Sequence, residues 1–296
     1  MTASRESSTR ARLARLGFID TEISAGFVDA HPLIGAHLDI IRASADPDGA
    51  VQTFARLISG GGVDASSWSQ DQWRILSHLF GTSRALADHL TRYPHHVGYV
   101  STVEAVQDAQ SLQDALAASV QDVEWNQALL NLRVAYRKEV SAIAALDAAA
   151  VAESVTIMPG IAQALTDLAD AVVNAALIAA RNKVAGSEGH RLSIIAMGKC
   201  GARELNFVSD VDVIFVAEPA DDISTELAKA VMQACSAVTP EGVIWEVDPG
   251  LRPEGKAGAL VRTLESHVDY YERWAQNWEY QALLKARFMA GDEVLG

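Results

Sequence analysis

From Ser209 to Val216 the chain reads SDVDVIFV, with two aspartates, Asp210 and Asp212, at the mouth of a run that is otherwise apolar and β-branched. On an extended strand, residues i and i+2 face the same side, so these carboxylates project together while Val211 and Val213 face the other way. Two like charges held this close need a shared proton, a basic partner or a divalent cation. All-oxygen ligands suit Mg2+ or Mn2+. Alone, an Asp-x-Asp tripeptide is common and reads as a turn cap beside a solvent-facing carboxylate.

Its surroundings change that reading. A second short run, GVIWEVD, ends in Asp248 and offers a third carboxylate from a neighbouring strand. The apolar run RLSIIAM ends in Gly198, Lys199, Cys200 and Gly201, a glycine turn whose backbone can approach a phosphate closely. The turn has neither the Walker A pattern nor Gly-x-Gly-x-x-Gly. Cationic residues gather nearby at Lys199, Arg203, Arg252, Lys256 and Arg262, the sort of grouping that handles anions. Cys200 lies within the turn but has no histidine near it in sequence, so it reads as filler rather than nucleophile.

The elements that must hold these residues change in kind along the chain. The first half has helical periodicity, with segments near residues 20–44, 49–59, 103–120 and 124–149. In WRILSHLFGTSRALADHLTRYP an apolar face of Ile75, Leu76, Leu79 and Phe80 continues through Leu86 and Leu90 until Pro94 stops it, and His95-His96 reads as a helix-end feature. The N-terminal MTASRESSTRARLARLG reads as a frayed helix start. An Ala-rich helix from Met158 to about Val184 precedes the strands RLSIIAM and VDVIFVA; ISTELAKAVMQACSAV is then a helix leading to GVIWEVD. The expected fold class is α+β. A helical module over 1–120 precedes a domain over 121–296 with a small mixed sheet flanked by helices.

Charge and composition exclude several classes. The 296 residues carry a formal net charge of −14, which argues against gripping long nucleic acid. No uninterrupted apolar stretch reaches about 18 residues, so no membrane span is expected. Cys200 and Cys235 stand apart with no metal-binding spacing, which fits a reducing cytoplasm.

The order of glycine turn, SDVDVIFV and later aspartate resembles the polymerase-β-type nucleotidyltransferase superfamily. More narrowly, GKCGARELNFVSDVDVIFV followed by VDPGLRPEGKAGALVRTLESHVDYYERWAQNWEYQALLKARFMAGD resembles the glutamine synthetase adenylyltransferase and adenylyl-removing enzyme family. The likeness covers about residues 190–292, with weaker similarity at SHLFGTSRALADHLTRYP. Cys200 replaces a usual aliphatic residue, and Pro249-Gly250 a more extended pair. Family proteins carry two such catalytic domains, so the resemblance implies an N-terminal portion of a longer protein. It implies the half that removes AMP from a glutamine synthetase tyrosine, using phosphate and yielding ADP, while the other half attaches AMP from ATP. PII signalling proteins are the regulators implied.

On that reading Asp210, Asp212 and Asp248 hold two divalent ions about 3.5 to 4 Å apart, bridging the reacting phosphorus. The amides of Gly198 and Gly201, with Lys199 and Ser209, hold the nucleotide's phosphate oxygens, and Arg252 engages the attacking phosphate through two oxygens. Tyrosine, with an ordinary pKa near ~10, leaves without a dedicated general acid. Tyr270, Trp274 and Trp278 recur at i+4 and read as a packed helical stripe. Lys285 and Arg287 lie within reach of the site but outside the chemistry. The alternatives are an ATP-using protein adenylyltransferase with the same fold, and a non-catalytic docking module for PII or glutamine synthetase.

Overall fold

The computed structural model describes residues 2–150 and 153–296. The chain forms two compact units. One comprises Met1–Val106 and Arg137–Met158, the other Gln107–Tyr136 and Pro159–Gly296.

The first unit is helical. Its elements are α1 (Thr2–Leu16), α2 (Thr21–Ala30), α3 (Pro32–Ala36), α4 (Leu38–Ile41), α5 (Pro47–Ser59), α6 (Gln70–Thr82), α7 (Arg84–Arg92) and α8 (Val97–Ser101). Local chemistry sets the starts. The Asp20 carboxylate accepts from the Ile23 amide to begin α2, and Asp46 accepts from Gly49 ahead of Pro47 to begin α5. Ser69 and Gln72 close a reciprocal capping box at α6. The continuous periodicity from residue 73 to 92 is interrupted at Ser83, whose extended backbone ends one helix while its hydroxyl accepts from Leu86 to start the next. Buried aromatic rings fill the middle: Phe54 lies 4.6 Å from Trp73 and 4.9 Å from Phe80, and His37 stacks on Trp73 at 4.2 Å.

His89 and His96 are buried at the end of α7 and in the following turn, with Nε2 of His89 3.1 Å from Nδ1 of His96. Burial, reinforced by His96, Arg137, Arg92 and His95, pulls His89 down to about 3. Burial, with His95 and Lys138, pulls His96 down to about 4.

The second unit opens with α9 (Ala109–Val120) and the first half of α10 (Trp125–Ala149), then takes most of α11 (Ser154–Lys183). By length and composition α11 could cross a membrane, yet 72% of its apolar window is buried inside the protein, as in a core helix. Then follow β1 (Arg191–Ala196), α12 (Gly198–Gly201), β2 (Val211–Glu218), α13 (Asp222–Ser236), β3 (Val247–Asp248), β4 (Val261–Arg262), α14 (Leu264–Arg273), α15 (Asn277–Leu283) and β5 (Arg287–Gly291).

The sheet runs β3-β2-β1-β5, with β4 also pairing β2, and it is mixed as expected. β1 is antiparallel to β2 and β5, whereas β3 and β4 lie parallel to successive parts of β2. GVIWEVD is not a full strand: only Val247–Asp248 pair as one. The segment before it is held instead by Arg133 of α10, which is fully buried. The guanidinium donates to the carbonyls of Leu129, Ala234, Cys235, Ala237 and Gly242, at 2.8 Å for Leu129 and Gly242.

The expected aromatic stripe is not core packing. α14 ends at Trp274 and α15 starts afresh from Gln276, which forms a capping box with Glu279, so the i+4 spacing never lies on one helix. Trp274 is 71% and Trp278 51% exposed.

The buried histidine pair makes the helical unit acid-sensitive. The unfolded chain binds protons near ~6.5 and the folded one only near 3 to 4, so this contribution is intact above about pH 6.5 and declines as pH falls from there. Thermal melts between pH 7 and 5 (roughly the window of histidine titration) should show a falling Tm, and His89→Gln should flatten the slope. An unchanged slope in the variant would assign the acid sensitivity elsewhere.

Candidate functional site

The parallel register of β2 and β3 sets Asp212 directly beside Asp248. Asp210, one alternate residue earlier, completes a group of three carboxylates whose oxygens lie within 4.8 Å of one another. Asp210 is exposed and the other two half-buried. The loop after β3 folds back so that the Gly250 amide donates to Asp248 Oδ1 at 2.8 Å, and a Cβ at residue 250 would come within 2.9 Å of that oxygen. Pro249-Gly250 therefore aims Asp248 at the group. Burial first, then the charges of Asp210 and Asp248, push the Asp212 carboxyl up, with Lys199 opposing. A carboxylate raised by its own neighbours is a cluster that a cation would relieve, and three oxygen donors within this span suit a hard divalent ion.

α12 is the glycine turn. Gly198 takes a left-handed φ of +52°, and a Cβ there would overlap the Asp212 carboxylate. Its amide lies in the first turn, where a helix supplies no acceptor. The Gly201 amide is committed to Met197 O at 2.7 Å, so the phosphate-binding role expected of it does not fit. Its need for glycine is steric, because a Cβ would collide with the Lys285 carbonyl.

Two ion pairs hold the turn against α11. Asp170 receives both Nη1 and Nη2 of Arg287, at 2.7 and 2.8 Å, and Nη2 also donates to Cys200 O at 3.1 Å. Arg203, at φ +60°, reaches Asp167 at 2.9 Å. Burial pushes the Asp170 carboxyl up while the Arg287 guanidinium opposes. Burial also pushes the Cys200 thiol up to about 12, assisted by Asp170, which disfavours the thiolate that a nucleophile needs. Asp167 and Asp170 were not anticipated as part of this site. The available signal was a pair of acids at i and i+3 in a helix otherwise rich in alanine.

Most of the clustered cations are already engaged. Arg262 pairs with Glu254, Lys285 with Glu204 at 3.2 Å, and Arg287 and Arg203 with α11. Arg252 is buried and donates to the carbonyls of Pro249 at 2.8 Å, Lys256 at 3.1 Å and Gly258 at 3.2 Å. An anion-holding role does not fit a guanidinium so committed; the geometry makes it the clasp of the loop that follows Asp248. Lys199 is exposed; among the described residues its ammonium makes no hydrogen bond or close ion pair, and its charge acts on Asp212. With Ser209 and Asp210 it lines a hollow of about 430 Å³. A second, apolar hollow of about 450 Å³ includes Ile214 and Val216, which follow Asp212 on the same face of β2.

The Asp170–Arg287 pair should behave as a buried charge pair. Asp170→Ala, which strands the guanidinium, should cost about 3–5 kcal/mol in urea denaturation, and adding Arg287→Met should restore much of it. Equal and additive losses would show that the pair is not coupled.

The comparisons with known proteins agree with this geometry. Residues 73–296 match the family described as glutamate-ammonia ligase adenylyltransferase. A Streptomyces avermitilis protein named bifunctional glutamine synthetase adenylyltransferase/adenylyl-removing enzyme is 41% identical, covering 100% of this chain and 31% of its own length. Proteins of the same name from Mycobacterium avium, 38% identical, and Cutibacterium acnes, 40% identical, align over 100% and 99% of this chain and 31% and 33% of their own lengths. The chain thus spans about a third of the length of the curated relatives it matches. The chain belongs to the glutamate-ammonia ligase adenylyltransferase family.

Proposed function

We propose that this chain removes adenylyl groups from a tyrosine of glutamine synthetase by metal-assisted phosphorolysis, in a reducing cytoplasm. The observation that carries the reading is the register Asp212↔Asp248 with Asp210 beside it and the charge of Lys199 acting on Asp212. The names of the relatives supply the substrate class. The resemblance to the family's first catalytic domain supports removal over attachment, and it also supports docking by PII proteins.

Asp210, Asp212 and Asp248 would hold Mg2+ or Mn2+, which when bound supplies charge neutralisation at the phosphorus and at the departing oxygen. Lys199 binds non-reacting phosphate oxygens as a point charge, the Ser209 hydroxyl donates to them, and the Gly198 amide completes the cradle. An oxygen of inorganic phosphate forms a bond to the adenylyl phosphorus as the bond to the tyrosine oxygen breaks. ADP and tyrosine result, the proton given up by the attacking hydrogen phosphate passing through water to the phenolate. Arg252 acts through Asp248 by fixing the loop that orients it.

Incubation with adenylylated glutamine synthetase and Mn2+ should release ADP only when phosphate is present. Release of AMP without phosphate, or transfer of AMP from ATP to the unmodified enzyme, would refute removal. Asp212→Asn should abolish turnover while the apo protein melts at the same or a higher temperature, because it relieves carboxylate repulsion. A collapsed fold would instead make the residue structural.

Arg252→Ala separates clasp from anion site. We expect Tm, Mn2+ affinity and kcat to fall together, with the KM for phosphate moving by no more than about twofold. A rise of tens-fold in that KM at unchanged Mn2+ affinity would return Arg252 to the substrate.

A further inference from the structure

We propose that the hollow beside Asp210 is the nucleobase subsite, with Trp245 and Phe207 as its stacking surfaces; this rests on the reading of the aspartate group as a nucleotidyl-transfer centre. The hollow is lined by Lys199, Phe207, Val208, Ser209, Asp210, Ile244, Trp245 and Glu246. Its volume of about 430 Å³ falls in the ~300–1,000 Å³ range of small-molecule sites. Its lining combines the polar Lys199, Ser209, Asp210 and Glu246 with the apolar Phe207, Val208, Ile244 and Trp245. Such a combination suits a ligand with an anionic end and a flat ring.

Two chain segments supply the apolar residues. Phe207 and Val208 lie in the loop between the glycine turn and Asp210, 39% and 92% exposed. Ile244 and Trp245 lie just before β3, where the Val211 amide donates to the Glu246 carbonyl at 2.9 Å and extends the β2–β3 pairing. The pairing that brings Asp248 to Asp212, continued back by that bond, runs Glu246 past Asp210 and Trp245 past Ser209, and all four residues line the hollow. Among the described residues neither the Phe207 nor the Trp245 ring has an aromatic or cationic partner, and the indole N–H has no acceptor. In the helical unit the contrast is plain, since Trp73 is ringed by Phe54, Trp68 and His37.

A nucleotide satisfies both kinds of lining. Its phosphate meets Lys199 and the carboxylate-held cation, and its base lies against the two unpartnered rings. Stacking on an aromatic ring tolerates any base, so the contribution is to affinity rather than to base choice. Inorganic phosphates of equal length gain only the first half of these contacts.

Calorimetric titration of the whole chain in Mn2+ compares ADP with inorganic pyrophosphate. We expect ADP to bind at least about tenfold more tightly, the increment one stacked base supplies. Trp245→Ala and Phe207→Ala should each bring ADP toward pyrophosphate while pyrophosphate affinity stays constant, which also reports that the variants are folded. Trp245→Phe should keep most of the ADP advantage. The subsite is overturned if ADP binds no more tightly than pyrophosphate, or if its advantage survives both alanine variants. If neither ligand binds in Mn2+, the transfer-centre reading fails and the subsite fails with it. Should Trp245→Ala lose pyrophosphate as well, Phe207→Ala and Trp245→Phe decide the matter.

Discussion

Three carboxylates are kept within 4.8 Å of each other by two residue pairs of parallel β-ladder, Val211↔Val247 and Asp212↔Asp248. Coulomb repulsion works against that ladder, and a two-residue strand contributes little to resist it. Resistance comes from around it. Arg133 fixes the approach to β3, Arg252 fixes the departure from it, and the Gly250 amide compensates one Asp248 oxygen. On the other side of β2, the antiparallel β1 supplies six register pairs from Arg191↔Glu218 to Ala196↔Val213 and makes β2 the rigid member. The strained part of the site is thus carried by loops tied to buried guanidinium groups, while the long strands carry none of the strain.

The same division explains which arginines are available for chemistry. A guanidinium has five donors in a fixed fork, which makes it well suited to collecting carbonyls from irregular backbone. Arg133 and Arg252 are used in this way, and Arg287 and Arg203 tie the glycine turn to α11. Lysine has no such geometry to offer. Lys199 is a cation whose charge acts on Asp212, a flexible point charge on a turn whose backbone is held from behind.

Much of this was legible in the residues. Period-two alternation around Asp210 and Asp212 placed both on one face, helical spacing marked the first half, and the mixed sheet followed from strands interrupted by ISTELAKAVMQACSAV. What escaped was whatever depends on partners distant in sequence. GVIWEVD has the composition of a strand, but only Val247–Asp248 pair as one, because the Gly242 carbonyl goes to Arg133 and the Ile244 amide to the Cys235 carbonyl. Arg252 looked available because nothing in its sequence neighbourhood reveals that Pro249, Lys256 and Gly258 turn their carbonyls towards it. The spacing of Tyr270, Trp274 and Trp278 was helical, yet the capping box at Gln276 and Glu279 ends that periodicity where composition alone would continue it.

Arg133 bears on how this polypeptide can be divided. It stands 58 positions before the first strand residue, Arg191, in a helix far from the sheet in sequence. A fragment started at the sheet would retain every carboxylate and the whole glycine turn. It would nonetheless leave the carbonyls of Ala234, Cys235, Ala237 and Gly242 without their shared donor. The smallest excisable portion containing the site therefore reaches back through the start of α10, and any natural recombination of such modules would have to carry that helix as part of the cassette.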